Sequence, residues 1–271
     1  MRRTGVTKPI LLIGAGRMGT ALIKGWLANG LTPIIAVEPK PSAELKKLAK
    51  ARGLTLVAAL AKIPKGNPRA CVVALKPQIL KDEAPTLRGF AEGGAVMVSI
   101  AAGTQVKSFS AAWGPKARIV RAMPNTPGAI GRGITGLYAA PNATAADKKL
   151  ADSLLAALGQ TVWVKSEALI DAVTAVSGSG PAYVFHLVEA LTEAGVKAGL
   201  DEKLAGQLAR ATVAGAGALL DADKSEAAAL RIAVTSPGGT TEAALKILMP
   251  ELSTLMTRAV LAAKKRAEEL G

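Results

Sequence analysis

Gly14-Ala15-Gly16-Arg17-Met18-Gly19 follows the apolar run Ile10-Leu11-Leu12-Ile13 without a gap and opens a stretch of helical period from Arg17 to Ala28. Alone, a G-x-G-x-x-G is an ordinary glycine turn. Between a strand and a helix it has three separable tasks. Gly14 admits the tight turn, Gly16 lets a pyrophosphate approach the backbone, and Gly19 lets the helix lie close against the strand. The unpaired N–H groups and positive dipole end of the helix then face the phosphates.

The first half of the chain repeats this rhythm. Apolar, β-branched runs predict strands at Ile10–Ile13, Ile34–Val37, Ala70–Leu75, Val96–Ile100 and Ile119–Ala122, with shorter candidates at Leu54–Val57, Gly136–Ala139 and Thr161–Val164. Strands alternating with helical stretches imply βαβ units around a mainly parallel sheet. After Ser166 the strand signals stop, and Ala/Leu-rich helical stretches continue to the end, broken by Gly180-Pro181, Gly199, Pro237-Gly238-Gly239 and Pro250. The expected fold is α/β: a Rossmann-type dinucleotide-binding domain over 1–165, then an all-helical domain over 166–271. Lys203–Leu220 and Thr241–Leu270 are apolar on more than one face, which predicts a partner beyond the core and hence a homodimer.

The second strand ends at Glu38, where an acidic residue commonly accepts hydrogen bonds from the adenosine ribose, an argument for NADH. Lys40, two residues on, suits a 2′-phosphate, so the choice between NADPH and NADH stays open.

Composition excludes other classes. Lys plus Arg exceed Asp plus Glu by 34 to 20, a formal +14, but aromatics make up only 3%. The densest basic run, Lys264-Lys265-Arg266, lies in a helix of mixed charge, so no nucleic-acid partner is expected. Cys71, the sole cysteine, sits in an apolar run, where a thiol packs as a small hydrophobe. His186, the sole histidine, lies on an apolar helix and reads as a core or interface residue. One histidine builds neither a usual zinc site nor a serine triad, and no cluster has metal-ligand spacing, so no metal is expected. Met1-Arg2-Arg3 is basic, but Ile10–Ile13 is too short for a signal segment and no run reaches the length of a membrane span. A cytoplasmic protein without membrane contact is expected.

Five segments together resemble pyrroline-5-carboxylate reductases: Ile13–Gly19; Ala74-Leu75-Lys76-Pro77-Gln78; Arg121-Ala122-Met123-Pro124-Asn125-Thr126-Pro127; Asp171 to Tyr183, which contains Ser177-Gly178-Ser179-Gly180-Pro181; and Thr235-Ser236-Pro237-Gly238-Gly239-Thr240-Thr241-Glu242-Ala243-Ala244-Leu245. The resemblance spans nearly the whole chain, and its last segment is far more specific than its first. It implies hydride transfer from NADPH or NADH to the C=N bond of a cyclic imine carboxylate, giving L-proline. It also implies a homodimer and is compatible with larger rings of dimers.

By this resemblance, Lys76-Pro77 would lie beside the nicotinamide side of the cofactor and Ala101-Ala102 would run against the dinucleotide. Both pairs follow strands at the edge where open α/β sheets bind ligands. An imine is most electrophilic when its nitrogen is protonated, and its carboxylate needs donors. Ser236, Pro237, Gly238, Gly239 and Thr240, running into a helix, offer backbone N–H groups and a positive dipole end for that carboxylate. Thr241 would set its hydroxyl near the ring nitrogen, and Glu167 would approach the substrate and stabilise the iminium. Ser236 or Thr240 capping the helix, and Glu167 as a first-turn acid, are the plainer readings of the same residues.

Ser177-Gly178-Ser179-Gly180 lacks the preceding strand and nearby base of a serine nucleophile, and reads as close helix packing near the cofactor. The rivals are a related two-domain imine or hydroxyacid reductase and a non-enzymatic dinucleotide sensor. Hydroxyacid dehydrogenases usually carry a lysine early in the helical half, yet Asp171–Gly195 contains none. A sensor would not need the Ser236–Thr241 loop.

Overall fold

The computed structural model describes residues 8–271; the basic start Met1-Arg2-Arg3 lies outside them. By its contacts the chain divides into two units, one running to Gly178 and taking back Lys264–Gly271, the other Ser179–Ala263.

The first unit holds β1 (Ile10–Ile13), β2 (Ile34–Val37), β3 (Leu54–Val57), β4 (Ala70–Val73), β5 (Val96–Ser99), β6 (Arg118–Met123), β7 (Gly133–Ala139) and β8 (Gly159–Trp163). Its helices are α1 (Arg17–Ala28), α2 (Ala43–Leu48), α3 (Pro77–Glu83), α4 (Arg88–Glu92), α5 (Val106–Trp113), α6 (Ala145–Leu155) and α7 (Leu169–Val173). The strands form one sheet in the order β3-β2-β1-β4-β5-β6-β7-β8, parallel throughout except where β7 runs antiparallel to β6.

β1, β2, β4 and β5 are buried residue after residue, so their apolar runs are continuous rather than alternating. Successive residues serve opposite faces. Ile10 and Leu12 pack with Leu22, Ile23 and Trp26 of α1 and with Leu154 and Leu155 of α6. Leu11 and Ile13 pack with Leu80 of α3 and with Phe109 and Trp113 of α5. Each buried indole finds an acceptor: Trp26 Nε1 donates to Leu154 O at 2.7 Å and Trp113 Nε1 to Ala84 O at 3.0 Å. This is the α/β sheet the sequence implies, with helices on both faces.

Cys71 is wholly buried in β4, and burial pushes its thiol well above the usual range. Because the folded form holds the proton more tightly, this contribution is fully present below the ordinary thiol range and is lost progressively above it, as pH rises toward the raised folded value. The folded protein is therefore expected to resist a disulfide-exchange reagent at mildly alkaline pH and to release one thiol equivalent on unfolding in guanidinium. Reaction of the folded protein at the rate of a free thiol would contradict this seat.

The second unit contains α8 (Gly180–Lys197), α9 (Glu202–Ala222), α10 (Ala227–Ala233) and most of α11 (Thr240–Leu270), whose residues from Lys264 onward belong to the first unit. Of α8, α9 and α10, only Ala205 and Ala209 on α9 are buried. Large apolar side chains stand exposed instead, among them Phe185, Leu208, Ile232 and Leu255. His186 is not in the core: it is exposed on α8, its Nδ1 2.9 Å from Glu189 Oε2. Lys264 and Arg266 pair with Glu268 and Glu269, so that basic run is partly neutralised within its own helix. Among the described residues, no helix is long and apolar enough to cross a membrane.

Candidate active site

The glycine loop has the geometry its spacing predicts. Gly14 sits at φ +87°, and a methyl group there would lie 2.9 Å from both Ala74 O and Leu75 Cδ2. At Gly19 a methyl would lie 2.4 Å from Gly14 O, so α1 packs directly on the turn. Gly16 differs: a methyl there meets nothing within 4 Å. Gly16 is the N-cap of α1, and both it and Arg17 are exposed, whereas Met18 packs against the core. Thr20 holds the turn, its hydroxyl donating to Ala15 O at 2.9 Å. Space above Gly16, in front of a helix N-terminus, fits a pyrophosphate.

The strand order places the expected cofactor residues in a row at the carboxyl ends of β2, β1, β4 and β5: Glu38, the glycine loop, Lys76-Pro77, and Ala101-Ala102. The order in which strands are added across the sheet reverses between the parallel neighbours β1 and β4, the position at which open sheets leave a crevice. Beside the loop is a cavity of about 660 Å³ lined by Gly14, Val37, Glu38, Lys40, Leu60 and Ile79. Its mainly apolar walls, with Glu38, Lys40 and Glu83 as the charged residues, suit the adenosine end of a dinucleotide. Lys76 is exposed and caps α3, with Pro77 at the first turn. Ala101 is buried, its N–H donating to Ser99 Oγ at 3.3 Å, and Ala102 is exposed.

Glu38 is more committed than its position in the sequence suggests. Its Oε2 accepts the Ala15 N–H at 2.9 Å and its Oε1 the Lys40 N–H at 3.0 Å. The carboxylate thus buttresses the glycine loop from below.

At the end of β6, Asn125 Oδ1 accepts the Ile134 N–H at 3.0 Å, a tie across the β6–β7 turn. Gly178 ends a π-helical turn, Thr174–Gly178, and a methyl there would lie 2.7 Å from Met123 Cε. The Ser177-Gly178 segment is therefore a close-packing device. Glu167 is bound to two groups of the first unit: Oε1 accepts the Val106 N–H at 2.7 Å and lies 3.0 Å from Arg121 Nη1. Arg121, 2% exposed, also reaches Asp171 Oδ1 at 3.4 Å. Arg121 and Asp171 were not singled out from the sequence, although a lone charge within Ile119-Val120-Arg121-Ala122 was the available signal.

In the second unit, Gly238 adopts φ +71° and Gly239 N donates to Ser236 O at 3.0 Å, which turns the chain into α11. Gly238 N is already taken by Glu242 Oε2, and Glu242 Oε1 lies 3.2 Å from Lys246 Nζ. Among the described residues, the N–H groups of Thr240, Thr241 and Glu242 and the hydroxyls of Ser236, Thr240 and Thr241 have no hydrogen-bond partner. The alternative in which Ser236 or Thr240 caps the helix is thus not seen, and the donors open to a carboxylate lie at the first turn of α11 rather than at Gly238 and Gly239.

Comparison with known proteins agrees with both units. Residues 167–270 match the family model described as pyrroline-5-carboxylate reductase dimerisation, and residues 9–103 match that described as NADP oxidoreductase, coenzyme F420-dependent. The pyrroline-5-carboxylate reductase of Pseudomonas aeruginosa is 40% identical over 266 residues, 97% of each chain. A solved pyrroline-5-carboxylate reductase from Coxiella burnetii superposes with a TM-score of 0.89 at 36% identity, covering 98% of this chain and 99% of that one. The Plasmodium falciparum pyrroline carboxylate reductase, solved with NADP bound, gives a TM-score of 0.78 at 26% identity, covering 97% and 98%.

Proposed function

The chain belongs to the pyrroline-5-carboxylate reductase family, and we propose that it performs that family's reaction with the residues described above. It is an NAD(P)H-dependent oxidoreductase acting on a C=N bond, and it carries the family's dimerisation domain. When bound, reduced nicotinamide would supply a hydride; on the iminium form of 1-pyrroline-5-carboxylate, protonated at nitrogen, the hydride adds to the C=N carbon and the π electrons become the nitrogen lone pair, giving L-proline.

The observation that carries the cofactor assignment is the clear space at Gly16 in front of α1. Gly14, Ala15, Gly16, Arg17, Met18 and Gly19 hold the pyrophosphate, and Lys76, Pro77, Ala101 and Ala102 line its further course. Glu38, with both oxygens on backbone N–H groups, leaves the 2′ position to the cations of Lys40 and Arg17, so NADPH is the preferred reductant. The amides at the start of α11, after Ser236-Pro237-Gly238-Gly239-Thr240, receive the substrate carboxylate. Thr241 orients or relays a proton at the ring nitrogen. Residues 1–165 serve the cofactor, 166–271 serve substrate and dimer, and the dimers assemble into larger rings in the cytoplasm.

Cofactor oxidation followed by absorbance, with pyrroline-5-carboxylate and either NADPH or NADH, tests this. Turnover is expected with both and faster with NADPH, and Lys40→Ala is expected to weaken NADPH by about tenfold while sparing NADH. Faster NADH turnover would return Glu38 to the ribose. No turnover with either would sink the substrate assignment.

A further inference from the structure

A guanidinium buried within a sheet persists only where carboxylates and hydrogen bonds compensate it. At Arg121 two carboxylates do so, Glu167 and Asp171, both from the segment by which the chain leaves the sheet. Glu167 Oε1 also accepts the N–H of Val106, the first residue of α5. One oxygen atom thereby ties β6, the segment beyond β8 and the start of α5.

The loop between β5 and α5 is held at a second point. Gly103 adopts φ +72°, and a methyl there would lie 3.2 Å from Leu270 O; one at Gly271 would lie 2.9 Å from Gln105 Nε2. The loop is thus anchored at 103–106, and its remaining stretch is Ala101-Ala102, the pair assigned above to the dinucleotide.

On that reductase reading, we propose that Glu167 is a positioning residue. By reaching Arg121 and Val106 with one oxygen, it fixes the 101–105 loop for the cofactor, and it does not act through its negative charge on the reacting carbon and nitrogen. Reach and charge separate cleanly. Gln keeps an oxygen with two lone pairs at the same distance but removes the charge; Asp keeps the charge but is one methylene short of bridging Val106 and Arg121.

Glu167→Gln and Glu167→Asp would be compared with wild type by fluorescence titration with NADPH in the absence of substrate, and by steady-state turnover of pyrroline-5-carboxylate. The cofactor Kd of the Gln variant is expected within about threefold of wild type, and its kcat at saturating cofactor likewise. The Asp variant is expected to bind NADPH about tenfold more weakly, with a smaller change in kcat. A Gln variant with kcat lowered about 10²-fold and unchanged cofactor Kd would overturn the proposal in favour of a charge acting on the reacting centre. An Asp variant that binds NADPH like wild type would overturn it too. If wild type shows no turnover, the substrate reading fails, and the titration alone still decides whether Glu167 positions the loop.

Discussion

Gly19→Ala is expected to cost the protein both thermal stability and cofactor affinity, whereas Gly16→Ala costs affinity alone. A methyl at Gly19 would lie 2.4 Å from Gly14 O, a backbone atom that cannot swing aside. Alanine gains up to about 1 kcal/mol of helix propensity over glycine, but forcing an atom into a packed contact costs about 1–3 kcal/mol, so the clash prevails. Relief requires α1 to move off β1, which displaces the loop by roughly an ångström, and such a misplacement can cost about 10²-fold in function. At Gly16 the backbone is extended and no neighbour stands within 4 Å, so alanine is accommodated in the free protein at a cost of about 1 kcal/mol or less. The methyl then occupies the approach to the pyrophosphate. Thermal melts with and without NADPH separate the two: Gly19→Ala melts lower than wild type in either condition, and Gly16→Ala melts like wild type alone but gains little from NADPH. A Gly16→Ala protein stabilised by NADPH as fully as wild type would show that the pyrophosphate does not pass over this residue.

Where a strand is buried on both faces, its residues must be apolar without interruption, and the sequence marks both of its ends. Ile10–Ile13 and Ile34–Val37 are legible for this reason. The strand signal starts at Gly136 but β7 begins at Gly133, because close packing demands glycine at both positions. A methyl at Gly133 would lie 2.7 Å from Gly128 Cα, and one at Gly136 would lie 2.6 Å from Val173 Cγ1. The residue that makes room for the neighbour erases the strand signal. The apolar run Ala70–Leu75 overshoots β4 by two residues, since Ala74 and Leu75 leave the strand to pass over Gly14.

The candidate site divides in the same way. Roles set by local chain geometry, such as those of Gly14, Gly16 and Gly19, can be read from spacing. Roles set by distant partners cannot: Arg121 acquires its meaning from carboxylates 46 and 50 positions further on. Glu38 was placed correctly at the end of β2, yet the sequence gives no sign that its oxygens face Ala15 and Lys40. The exposed apolar side chains of α9 and α11 follow from the surplus apolar faces that predict a dimer.

Thr241→Ala is expected to lower kcat by about 10²-fold or more while leaving NADPH affinity unchanged, because the hydroxyl it removes is not used by the fold. Elsewhere in this chain, helical hydroxyls bond back to a carbonyl four residues earlier: Thr174 to Ile170, Ser177 to Val173, Thr192 to Val188, Thr257 to Ser253. Thr241 is the second residue of α11 and has no helical carbonyl behind it; the residue four earlier is Pro237 in the turn. Its half-buried hydroxyl therefore keeps both its proton and its lone pairs for a ligand. Alanine is the better helix former at such a position, so the variant should melt no lower than wild type, and lost turnover cannot be ascribed to misfolding. Thr241→Ser keeps the hydroxyl and is expected to stay within about tenfold of wild type, whereas Thr241→Val keeps the shape and is expected to fail like alanine. Near-normal kcat in the Ala and Val variants would assign the protonation of nitrogen to solvent and leave Thr241 as a helix-start residue only.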